Sequence, residues 1–217
     1  TASSIQNLID SEYPAVDSGD WASTSYFNVK SLRSLFLSGG SYVSDTTLSL
    51  PSHFVLRLDA YDSDTGFTLS ANPTMSSDTY PSMVRLDGVE LTAVVGGFFD
   101  ATQNSSYEAI HVADGSRCSL RHVNAMSRAG SVIHVRGGLN HEVRDCTVNS
   151  GQSGALVADA AASRGVWLDS TRFGMVYDNA LSECAKAAVE VDAGCESCVV
   201  FSNQAELNGL GILVGET

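Results

Sequence analysis

The chain has 217 residues, 43% of them hydrophobic and 17% charged, with 19 glycines and four prolines. That is ample for a sizeable core and does not suit a disordered chain. A formal net charge of −13 argues against nucleic acid and anionic membrane surfaces as partners, because both need basic patches. No apolar run approaches the roughly 18 residues of a membrane span, so membrane insertion is not expected.

The opening stretch TASSIQNLIDSEY, residues 1–13, reads as a short amphipathic helix within a cap region of residues 1–30. Downstream, one short phrase recurs: EAIHVADG, SVIHVRGG, RGVWLDST, AAVEVDAG and LGILVGET. Its leading apolar residues are Ile110, Ile133, Val166, Val189 and Ile212, with steps of 23, 33, 23 and 23. A second series, Leu120, Val143, Val176 and Val199, keeps the same steps. Both absorb ten extra residues (33 minus 23) in the alanine-rich interval from Gly154 to Ser163. Two independent columns in one register indicate a true repeat.

Within each phrase the flanking residues are apolar and the central one is usually polar or aromatic. Alternation of this kind points the flanking pair inward and the central residue outward. Gly, Ser, Asn and Asp clusters separate the runs, as turns require. The expectation is an all-β solenoid over residues 31–217, a single-stranded parallel β-helix with coils of about 23 residues. Leu56-Arg57-Leu58 and Val84-Arg85-Leu86 read as earlier members of the same column, and the N-terminal helix as the cover of the first coil. Seven to nine coils are expected.

Five cysteines, Cys118, Cys146, Cys184, Cys195 and Cys198, are an odd count in a serine-rich acidic chain. This fits a secreted, disulfide-bonded protein with one thiol left over. Asn104-Ser105-Ser106 is an N-glycosylation acceptor. No second pair or nearby histidine completes a metal set around Cys195-Glu-Ser-Cys198, which reads as a disulfide or two packed thiols. The chain starts at Thr1 and stops within the recurring phrase, so it reads as a mature or excised piece of a longer polypeptide.

LFLSGGSYVSDTTLSLPSHFVLRLDA, residues 35–60, resembles the opening coil of the pectate-lyase-like, right-handed β-helix superfamily. In that group a Gly-x-Tyr turn leads into strands introduced by Pro-Ser. MVRLDGVELTAVVGGFFDA resembles the following coil of polygalacturonase-like members, and GMVYDNALSECAKAAVEV the generic parallel β-helix repeat. The resemblance spans residues 30–217 and implies a right-handed β-helix, an extracellular or cell-surface location and a polysaccharide partner. The polygalacturonase signatures (Asn-Thr-Asp, Asp-Asp, His-Gly and Arg-x-Lys) are absent. The matching strand starts read Ser131-Val132, Arg164-Gly165 and Ala187-Ala188.

Stacking the coils is expected to align Arg57, Arg85, His111, His134, Trp167, Glu190 and Leu213 along one outer face. Ala113, Arg136, Asp169, Asp192 and Gly215 run beside it. Arg85, His111, Trp167 and Glu190 are candidate glycan contacts, with the indole as a flat partner for a sugar ring. If the face is catalytic, the expected reaction is β-elimination or C5 epimerisation of a uronate. Ca²⁺ on Asp169, Glu190 and Asp192 would neutralise the sugar carboxylate, and His134 or Arg136 would move the proton. The alternative is a non-enzymatic structural or adhesive module whose partners include other segments or copies of the same protein. In that case His111 and His134 are a stacked pair and Trp167 packs under the inserted loop.

Overall fold

A computed structural model describes residues 1–12, 33–59, 66–70, 73, 80–150 and 163–215. Its strands form three parallel sheets of seven strands each, and the chain visits the sheets in strict rotation. The described residues therefore make seven coils of a parallel β-helix. The third sheet carries the recurring phrase. Its strands are Leu48–Ser49, Ser82–Asp87, Glu108–Ala113, Ser131–Arg136, Arg164–Asp169, Ala187–Val191 and Leu210–Val214.

Register follows the apolar columns. In the third sheet Leu48, Val84, Ile110, Ile133, Val166, Val189 and Ile212 stand in line. In the second, Tyr42, Phe67 and Phe99 do so, with ring centroids 5.4 and 5.7 Å apart. As far as Val189 these side chains meet in one continuous core, whereas Ile212, in the last described strand, is 52% exposed. The helix α1, Ala2–Glu12, turns Ala2, Ile5 and Ile9 into that core. Gln6 Oε1 accepts the N–H of Ser49 at 2.7 Å, so α1 also satisfies part of the third sheet's free edge.

Two assignments from spacing need correction. Arg57 belongs to the first sheet, beside Phe36 and Val95, and not to the Arg85 column. The third-sheet member of the first coil is Leu48-Ser49. Both sheets show the same apolar alternation, so an alternating triplet alone does not say which sheet it joins. In the first sheet Val176 pairs with Val200, not Val199. Val189 to Val200 is 11 residues where Val166 to Val176 is 10. The next link, Ala205 to Ile212, is 7 where Leu181 to Val189 is 8, which restores the step of 23. The ten-residue insertion lies in the link between Thr147–Asn149 and Arg164–Asp169, and residues 151–162 of that link fall outside the described residues.

The turns repeat as faithfully as the strands. Asp114, Gly137 and Ser170 occupy one turn position on successive coils with φ of 50°, 62° and 52°. Gly138 follows at φ 67°, and a Cβ there would meet the Gly115 carbonyl oxygen and lie 2.6 Å from His141 Nε2. The glycine pair that closes SVIHVRGG is thus required by left-handed backbone and by close stacking of coils.

All five cysteines are free thiols, which corrects the disulfide expectation. Each buried sulfur lies against a backbone carbonyl, as in Cys118 with Val89 and Cys146 with Leu120, both 3.6 Å. Burial pushes the Cys118, Cys146 and Cys184 thiols up to about 12. Cys195 and Cys198 are packed thiols whose sulfurs contact the carbonyls of Leu168 and Thr171 at 3.2 and 3.3 Å.

Candidate functional site

Strict alternation would turn Glu108 inward. Instead both members of Met83-Val84, Ala109-Ile110 and Val132-Ile133 enter the core. Two successive inward residues bend the strand, and the residues on either side both leave the core. A second outer column, Glu108, Ser131 and Arg164, thereby stands three residues before His111, His134 and Trp167. Glu108 bonds His111, and Arg164 lies over Trp167.

These two columns interlock. Glu108 Oε2 is 2.7 Å from His111 Nδ1, and Glu108 Oε1 is 3.1 Å from His134 Nδ1. Ser131 Oγ donates a short hydrogen bond to Glu108 Oε1. All four residues are buried. Burial alone would raise the Glu108 carboxyl, but the hydrogen bonds from both histidines hold it below the ordinary carboxylate range.

Aromatic rings close the cluster. His134 stacks on Trp167, with centroids 4.1 Å apart and planes 8° apart. Tyr80 meets His134 edge-on at 4.7 Å and stacks over His111 at 5.6 Å. The Arg164 guanidinium sits 4.3 Å from the Trp167 ring centroid and pairs with Glu190. Two groups that close to one centroid must occupy opposite faces of the indole. A pocket of about 350 Å³ opens beside this assembly, with Tyr80, Ser105, Glu108, Ser131, Arg164 and Trp167 among its walls.

Arg85, His111, His134, Trp167 and Glu190 do share one ladder, and Arg136 and Asp169 pair beside it. Their environment departs from expectation. His111 and His134 lie outside the core yet are as buried as Ile133, so neither offers a free surface for glycan. Glu190 is held by Arg164 and by Lys186 Nζ at 2.9 Å, and those partners keep its carboxyl low against burial. Arg85 pairs with Asp87 at 3.2 Å. Arg136 pairs with Asp169 at 3.4 Å and lies 5.6 Å from the Tyr80 ring centroid.

The three carboxylates proposed for Ca²⁺ do not converge. Glu190 faces two cations, Asp169 faces Arg136 and His134, and Asp192 Oδ1 accepts the Ala193 N–H at 2.6 Å. Among the described residues, the single group of His, Cys, Asp and Glu compact enough for a metal is Glu108, His111 and His134. Asn104 Oδ1 accepts the Ser106 N–H at 2.9 Å in a turn beside the pocket, whose wall includes Ser105 and Ser106.

Trp167 is therefore a wall element and not a free stacking platform. Trp167→Ala is expected to cost about 2–3 kcal/mol of stability, because it uncovers His134 and removes the ring on which Arg164 packs. A thermal melt checks this, and an unchanged melting point would mean that the indole is not packed as described. Glu108, Ser131, Arg164 and Tyr80 escape a reading by alternation. The signal that finds three of them is the spacing itself: Glu-x-x-His, Ser-x-x-His and Arg-x-x-Trp on successive coils.

The three stacked sheets and the face they carry define a parallel β-helix protein. A sequence model described as right handed beta helix region matches residues 85–217, and the chain belongs to that family. Among solved structures, the fold is similar to one described as a "putative glycosyl hydrolase" from Parabacteroides merdae. The TM-score is 0.69 at 12% identity, over 93% of this chain and 89% of that one. At that identity the likeness bears on fold. No curated protein sequence matches the chain. Among the described residues no helix is long and apolar enough to cross a membrane.

Proposed function

We propose that the protein binds polysaccharide outside the cell and holds a sugar unit in the pocket between Tyr80, Ser105, Glu108, Ser131, Arg164 and Trp167. The carrying observation is the make-up of that pocket. It combines aromatic edges, serine hydroxyls and an ionised carboxylate within a volume suited to one or two sugar rings. Trp167 Nε1 is buried without a hydrogen-bond partner among the described residues, a donor that a ligand hydroxyl would satisfy. His134 is sealed behind Trp167 and Tyr80, so Glu108 and Ser131 are the members of the buried cluster that meet the pocket. In this reading His134 and His111 position Glu108 and keep it ionised. An extracellular place is supported by the acceptor Asn104 at the pocket rim, while the free thiols give it no support.

A specific observation favours the structural alternative: Glu190, Trp167 and His111 are all engaged within the protein. Ser105→Trp separates the two. Ser105 is exposed, so a bulky side chain there blocks the pocket without entering the core. Binding to a panel of pectin, alginate, glucuronan and neutral glycans is expected for the parent and lost in the variant at an unchanged melting point. Equal binding by both sinks the pocket, and no binding by the parent favours a structural solenoid. Release of ultraviolet-absorbing unsaturated uronates from the same panel would add β-elimination to binding.

A further inference from the structure

The geometry points to Glu108, His111 and His134 as a site for one zinc-class divalent cation. Two imidazoles and one carboxylate are borderline nitrogen and oxygen donors, a set that suits Zn²⁺ or Co²⁺ and not Ca²⁺, which takes oxygens. Their ligand atoms lie within 4.8 Å of one another, and both Nδ1 atoms face the same carboxylate at 2.7 and 3.1 Å. Around a tetrahedral zinc with bonds of about 2.0–2.1 Å, neighbouring ligands stand about 3.4 Å apart. The two Glu108–histidine pairs therefore open by about 0.7 and 0.3 Å (3.4 minus 2.7 and 3.4 minus 3.1), and no pair in the set stands wider than 4.8 Å.

A second observation points the same way. His134 Nε2 is buried and has no hydrogen-bond partner among the described residues, and it lies 3.8 Å from Asp169 Oδ2. While neutral His134 donates its Nδ1 proton to Glu108, Nε2 is a bare lone pair directed toward a carboxylate. Binding a cation at Nδ1 moves the ring proton to Nε2, which then faces Asp169 Oδ2 and donates to it once the 3.8 Å gap closes to hydrogen-bond distance. A ligating histidine ordinarily has such a carboxylate behind it. Glu108 lines the pocket, which supplies an entry path and leaves the fourth coordination position open to water or a ligand hydroxyl. In this arrangement Asp169 is a positioning residue.

The test uses the whole chain in a Cys195→Ser, Cys198→Ser background, treated with chelator and then titrated with Co²⁺. One equivalent is expected to bind with a visible ligand-field band and no thiolate charge-transfer band, and Zn²⁺ should displace it and raise the melting point. Glu108→Gln should abolish the band. Asp169→Asn, at a partly exposed position, should weaken binding about 10–100-fold while keeping the stoichiometry. If Glu108→Gln fails to fold, Asp169→Asn still decides. No uptake by the parent, or identical affinity in Asp169→Asn, overturns the site. Glycan binding is not part of this readout, so failure here leaves the pocket reading standing.

Discussion

Ile133→Asp is expected to cost about 4 kcal/mol or more and to lower the melting temperature by roughly 8–16 °C. Ile133 is 0% exposed and stands between Ile110 and Val166 in the third sheet's inner column. Each coil of a solenoid touches only the coils above and below it, so a middle coil loses contacts on both sides when its inner residue is spoiled. An aspartate there would be an unpaired carboxylate in an apolar stack, with no described polar side chain of the core to meet it. The matched control is Val214→Asp in the last strand, where the side chain is 69% exposed. That change should move the melting point by a degree or two. Equal effects at the two positions would mean that the inner column does not carry the fold.

Acid should destabilise the protein through His141 well before the carboxylates titrate. The ring is 2% exposed, and neither nitrogen has a hydrogen-bond partner among the described residues. Burial drives it down to about 4 from an ordinary 6.5, and the nearby carbonyls of Gly137 and Gly115, outside hydrogen-bonding geometry, offset this only in part. Between those two values the unfolded chain binds a proton that the folded chain refuses. Stability is therefore complete above the ordinary value and falls as pH drops from about 6.5 to about 4, by about 3 kcal/mol in total.

Glu108 and Glu190 work in a lower window. Their folded carboxyls lie below the ordinary 4.5, so their contribution is present above that value and is lost only as pH falls through the lowered one. His53, also lowered by burial, adds to the His141 window. The difference between parent and variant isolates His141. His141→Leu should be less sensitive than the parent to a drop from pH 7 to 4.5 in denaturant titrations. Parallel losses in the two proteins would show that His141 is not the buried neutral group responsible.

The candidate site was legible in part. His111, His134, Trp167 and Glu190 share a ladder because one residue between two inward leaders must point out, whatever it is. Alternation alone misplaces Glu108, Ser131 and Arg164, because each sits where it predicts an inward side chain and a bend between two inward residues reverses it; only their three-residue spacing to His111, His134 and Trp167 marks them. Tyr80 carries no repeat position at all; it comes from the link before Ser82–Asp87 to cover both histidines. The calcium set failed for an electrostatic reason. Glu190 had nearer cations in Arg164 and Lys186, and both reach it from positions that strand alternation does not place beside it.

The repeat itself was in the sequence. A coil that returns each inward residue above its predecessor writes its length as a fixed step, so 23, 33 and 23 mark the solenoid and its insertion without any coordinates. The capping helix was likewise readable, since Ala2, Ile5 and Ile9 fall at helical spacing on one face. Tertiary structure decided which sheet claims a given apolar triplet, as with Arg57, and where a turn gains or loses one residue, as at Val200. It alone decided that the outer face is interlocked and partly dry. Spacing along the chain records where a side chain points, whereas what meets it there depends on residues from other coils and from links that carry no period.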